Sequence, residues 1–155
     1  MFFADSEWWG WHCGKAEFQA FAGEKCSIEP TGMHITDGDI MMLRNAGDFG
    51  LSRDPNRVFN GRNGGFMAFN IAVLTGAATV ILLGYDAKAP RDGEPSHFFG
   101  HHPVREPHTV YPKYRECFER TLPEINASGV SVINATPGSA IACFPRMTIA
   151  DALAC

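Results

Sequence analysis

The chain has 155 residues, 45% of them hydrophobic and 19% charged, with a net charge of −4. That length builds a substantial core and fits one domain spanning residues 1–155. The acidic balance and the scatter of the 13 basic residues exclude a nucleic-acid face, which needs clustered Lys and Arg.

Residues 1–3 read as the end of a strand. Asp5 and Ser6 then cap a predicted helix over residues 7–21, which carries Trp8, Trp9, Trp11, Phe18 and Phe21. So many aromatic side chains need a partner surface, either the core, a homo-oligomer interface or a stacked ligand. Residues 25–28 and 40–43 are strand candidates, separated by the chain breakers Pro30, Gly32, Asp37 and Gly38. Residues 45–60 form a long, polar, Gly-containing connection.

The best-defined stretch is 60–88, NGRNGGFMAFNIAVLTGAATVILLGYDAK. Asn60, Asn63, Gly64 and Gly65 make a small-residue turn that caps a helix and leaves backbone N–H groups at its start. Residues 66–75 are apolar nearly all round, with Asn70 the main exception, so the helix they form is buried. Gly76 stands where a helix-ending glycine belongs. Residues 80–83 are a continuous apolar run, the pattern of a parallel strand covered on both faces. Gly84, Tyr85 and Asp86 leave its carboxyl end, where open α/β sheets bind ligands. Residues 66–83 together are apolar enough to resemble a membrane span, but Gly76 and Asn70 divide a stretch already at the short limit of roughly 17–25 residues. The start, MFFADSEWW, has no basic segment before an apolar one, so no signal peptide is expected. The five cysteines show no Cys-x-x-Cys spacing and read as free thiols of a cytoplasmic protein.

Residues 89–109, with four of the six histidines, have no periodicity and read as a lid-like loop. Within it His97, His101 and His102 have three readings: weak metal ligands with Asp86, a general base near neutral pH, or a polar loop without chemistry. Pro112 suits the first turn of a helix, and Tyr114, Cys117, Phe118, Thr121, Leu122 and Ile125 share one face of it. Pro123 falls inside that pattern and predicts a kink or a shortened helix. Gly129 ends it, residues 130–133 are a second buried strand, and a last helix covers 148–153. Alternating helices and strands predict an α/β fold, a three-layer α/β/α Rossmann-like sandwich with a mainly parallel sheet. Parallel neighbours would place the loops after 83 and 134 on one edge, lining a crevice with Asp86, Asn134, Thr136, Ser139 and the histidines. Asp86 as a turn cap or as a partner of Lys88, and Ser139 as a helix cap, are the plain alternatives.

Three segments in order, NGRNGGFMAFNIAVLTGAATVILLGYD, SHFFGHHP and VSVINATPGSAIACFP, resemble a sialyltransferase-like family. That set includes bacterial sialyltransferases using CMP-sialic acid, more distantly hydroxymethylpterin pyrophosphokinases, and a group of phage and prophage proteins sharing the LLGYD and HxFGxHP signatures. The resemblance implies a glycosyltransferase-like protein in a bacterial host's cytoplasm, binding a nucleotide or a nucleotide-sugar donor such as a CMP-sugar. It implies His101 as the base that deprotonates an acceptor hydroxyl, with Asp86 orienting. Asn63 and Gly64 would meet the nucleotide or donor sugar, and Asn134, Thr136, Pro137 and Ser139 the base and ribose. Lys88 replaces a tyrosine that stabilises the leaving phosphate, and Tyr85 and His97 line the same site. The family's first strand, its Gly-Asn-Gly-Pro-Ser type phosphate loop and its second strand have no counterpart in this sequence, which aligns from the third strand onward. Gly64 stands in place of a serine and Ala4 in place of an asparagine. Without the phosphate loop the alternative is a non-catalytic accessory or binding protein. A metal-dependent hydrolase on the histidine loop is the further alternative.

Overall fold

The computed structural model describes residues 1–29, 35, 39–91 and 107–155. The turn residues Pro30, Gly32, Asp37 and Gly38, and His97, His101 and His102 of the histidine loop, lie outside the described residues. The chain packs as two compact units, Met1–Gly76 and Ala77–Cys155. Both are mixed α/β structures with parallel strands. Among the described residues, no helix is long and apolar enough to cross a membrane.

The first unit is a four-stranded parallel sheet in the order β1 (Phe2–Phe3), β2 (Lys25–Ile28), β3 (Ile40–Asn45) and β4 (Arg57–Val58). Adjacent residues of β1 go to different hydrophobic clusters, as strand alternation requires. Phe2 packs with Cys26, Ile28, Leu43, Val58 and Met67. Phe3 packs with Phe18 and Ile40, against Trp8 and Trp9. The strands expected at 1–3, 25–28 and 40–43 are present. β4 is an addition inside the polar connection 45–60; two residues are too few to show a period, yet Val58 is fully buried.

The single helix expected over 7–21 is divided. Asp5 caps α1 (Ser6–His12), its carboxylate accepting from Glu7 N at 2.7 Å. The chain turns at residues 13–15, where Gly14 disfavours helix and Lys15 is extended at ψ 142°, before α2 (Ala16–Gln19) begins. The side chain of Gln19 bonds back to Cys13 O across the turn. This break lets Trp8 and Trp9 stack on Phe3 at 5.1 and 5.4 Å while Phe18 meets it edge-on at 5.8 Å. The aromatic cluster is therefore core packing for Trp8 and Trp9, whereas Trp11 is exposed. The helix α3 (Gly64–Leu74) follows the expected turn, with Asn63 capping Phe66 N at 3.1 Å.

The second unit holds the parallel pair β5 (Thr79–Leu82) and β6 (Ser131–Asn134), in register from Thr79 opposite Ser131 to Leu82 opposite Asn134. A parallel pair needs a crossover. Its described part contains α4 (Tyr111–Glu119) and α5 (Leu122–Ser128). The break between these helices falls before Pro123, which sits in the first turn of α5, and Gly129 closes α5 in the left-handed conformation. The last helix, α6 (Ile149–Leu153), is capped by Thr148. The outer edge of β6 is occupied by its own chain: Asn134 bridges Arg146, and Asn134 N donates to Pro145 O at 2.8 Å.

Candidate functional site

The carboxyl ends of β5 and β6 lie side by side, so the stretches that leave them, 83–88 and 135–141, start as neighbours. Buried polar side chains bind the two together. Thr136 Oγ1 accepts from Tyr85 N at 3.0 Å and donates to Leu82 O at 3.2 Å. Ser139 Oγ donates to Tyr85 O at 2.6 Å and accepts from Ile141 N at 3.1 Å. Asn134 donates from Nδ2 to Ile141 O at 3.0 Å, and its Oδ1 accepts from Thr136 N at 3.0 Å. Asn134, Thr136 and Ser139 are 1%, 6% and 4% exposed. Each uses both a donor and an acceptor on the backbone, as buried polar groups must. These residues, expected to meet a ligand, hold the loops in place, and the backbone and flanking side chains form the surface.

That surface is one wall of a largely apolar groove of about 650 Å³. Leu83, residues 134–138, residues 146–149 and Asp151 line it. Leu83, Met147 and Ile149 are exposed there. The Asp151 carboxylate is fixed by Thr148 Oγ1 at 2.7 Å. The groove is open and shallow, with few polar groups along it.

Three cations bond the backbone of these two loops, and one of them, Arg146, lines the groove. Lys88 Nζ donates to Gly138 O at 2.5 Å, Arg146 to Ser139 O at 2.6 Å, and Arg115 to Ala87 O at 3.0 Å. Among the described residues, no carboxylate forms an ion pair with any of the three. Asp86 is exposed, and its main-chain carbonyl accepts from Ala140 N at 2.8 Å. Tyr85 packs edge-on against Phe118 at 5.9 Å, and burial pushes its phenol pKa up, so it stays a neutral donor. Arg115 and Arg146 escaped the sequence reading because each sits among ordinary surface residues; only the fold returns them to the 84–88 and 136–139 loops.

Asn63 and Gly64 belong to the other unit, at the start of α3. Gly61 and Arg62 before it both have positive φ, 52° and 53°, and Arg62 pairs with Asp48 at 3.1 Å. Tyr85, Asp86, Lys88, Asn134, Thr136 and Ser139 are thus gathered at one sheet edge, while His97, His101 and His102 lie outside the described residues. No family model, no curated protein and no solved structure matches this chain.

Proposed function

We propose that the chain is a glycosyltransferase-like protein of Rossmann-like, three-layer α/β/α type that binds a nucleotide or nucleotide-sugar at the carboxyl edge of β5 and β6. In this reading His101 deprotonates the acceptor hydroxyl, Asp86 orients it, and Lys88 meets the donor phosphate. The observation that supports it is the groove itself, which opens where parallel strands end and where open α/β sheets take ligands. The clasp of Thr136 and Ser139 gives that wall a fixed shape before any ligand arrives.

The test is a thermal-shift screen with CMP, CDP, UDP, GDP, ATP and CMP-sialic acid, followed by turnover assays with His101→Ala. A nucleotide at about 100 times its Kd stabilises the fold by roughly 2.7 kcal/mol. A selective shift that survives His101→Ala, with turnover lost, is the expected result. No shift with any nucleotide overturns the binding reading, and undiminished turnover in His101→Ala removes the base.

A second reading, a binding protein without catalysis, has one observation in its favour. The side chains of Asn134, Thr136 and Ser139, which the first reading gives to the base and ribose, are buried and committed to backbone groups, which leaves them little to offer a donor. A selective nucleotide shift without turnover of any donor is the outcome it predicts.

A further inference from the structure

We propose that Lys88 and Arg146, seated by Arg115, form a subsite for a diphosphate or other multiply charged phosphate group; it rests on the reading of the β5–β6 edge as a nucleotide site. The loop that carries Lys88 is built against its own backbone preference. Ala87 adopts φ 49°, the left-handed region that a residue with a Cβ adopts at a cost of about 1 kcal/mol or more. Backbone strain of this kind persists only where surrounding contacts over-determine it, and it concentrates at functional sites. Here Ala140 N holds Asp86 O and the Arg115 guanidinium holds Ala87 O, at 2.8 and 3.0 Å. The strained turn directs Lys88 back onto Gly138 O. Gly138 has φ 66°, a conformation that favours glycine, and a Cβ there would lie 3.2 Å from Lys88 Nζ, close enough to displace the ammonium slightly.

The outcome is two cationic groups on the carbonyls of consecutive residues, Gly138 and Ser139. Lys88 uses one of its three N–H donors and Arg146 one of its five, so most of their donors remain for a ligand. Among the described residues, two carboxylates are near: Asp86 in the loop and Asp151 in the groove lining, the latter held by Thr148. Neither pairs with Lys88 or Arg146. Cations that form no ion pair among the described residues, on adjacent carbonyls of an acidic protein, suit a compact anion, and Arg146 also lines the groove. A phosphate on Lys88 and Arg146 leaves the uncharged part of the molecule against Leu83, Met147 and Ile149.

Isothermal titration with inorganic pyrophosphate, then with CMP, CDP and cytidine, at matched ionic strength, tests this. Pyrophosphate is expected to bind and to compete with CDP, and cytidine to bind more weakly than either nucleotide. Lys88→Met and Arg146→Gln are each expected to raise the pyrophosphate Kd about 10-fold or more, the loss of one charge-assisted hydrogen bond. Arg146→Lys is expected to recover part of that loss, and Arg62→Gln, in the other unit, to change nothing. Lys88→Met removes an exposed side chain and carries the test if Arg146→Gln does not fold. Nucleotide binding that both variants leave unchanged overturns the subsite and keeps the nucleotide reading. Pyrophosphate binding that the variants weaken, with no added affinity for any nucleotide, keeps the subsite and overturns the nucleotide reading. Absence of binding by pyrophosphate and by every nucleotide overturns both.

Discussion

Ser139→Ala is the most direct probe of the clasp between the two loops. The substitution removes one oxygen and no carbon, so packing is preserved. It deletes two hydrogen bonds, to Tyr85 O at 2.6 Å and from Ile141 N at 3.1 Å. Each is worth about 1 kcal/mol net, and an orphaned donor in a dry site adds its desolvation cost. Ile141 is 1% exposed, so little water reaches its N–H. The expected loss is about 2–3 kcal/mol in urea unfolding with an unchanged slope. It corresponds to a fall in Tm of about 4–12 °C. Ser52 provides the control. It makes the same two-bond pattern around Asp54, at 3.1 Å each, but in an exposed turn. Water replaces those bonds, and Ser52→Ala is expected to stay within about 0.5 kcal/mol of the parent. Equal effects of the two substitutions would refute the claim that burial makes the Ser139 bonds structural.

Two further outcomes follow from the same reasoning. Gly61 adopts φ 52°, and a Cβ there would lie 2.7 Å from Cγ of the fully buried Phe66; Gly61→Ala is expected to cost about 2–4 kcal/mol in urea unfolding, and a loss below about 1 kcal/mol would mean that the loop before α3 gives way freely. Burial, with the Glu119 carboxylate adding to it, pushes the Cys143 thiol from 9.0 to about 11. A raised thiol pKa means that the unfolded chain loses its proton first, so this contribution is intact below about pH 9 and is lost as pH rises through about 11. Under reducing conditions the stability of Cys143→Ala should fall less steeply than the parent's over that window, and parallel pH curves would contradict it.

Short-range chemistry settled much of this fold. The capping residues Asp5, Asn63 and Thr148 each accept from the first turn of their helices, because an unpaired N–H at a helix start needs an acceptor close in sequence. Gly129 ends α5 and Pro123 begins it, since both act on φ directly. The apolar runs at 80–83 and 130–133 mark strands that the structure places one residue away, at Thr79–Leu82 and Ser131–Asn134. Even the edge where polar residues gather was legible, because loops leave parallel strands at the same end.

Tertiary structure decided what those polar residues do. Thr136 and Ser139 carry the same chemistry whether they face a ligand or a backbone 51 and 54 residues away, Asn134 whether it faces a ligand or its own loop, and only packing assigned them to the backbone. β4 exists because Asn45 and Val58 come into register, a pairing that a two-residue segment cannot announce. The break after α1 follows from the fit of Trp8, Trp9 and Phe18 around Phe3, not from helix propensity alone. Lys88, Arg115 and Arg146 lie up to 58 positions apart in sequence, yet they end on Ala87, Gly138 and Ser139 because one clasp holds both loops. Sequence fixes local conformation through contacts a few residues long; electrostatic sites depend on distances in space, which the parallel pairing of β5 and β6 sets.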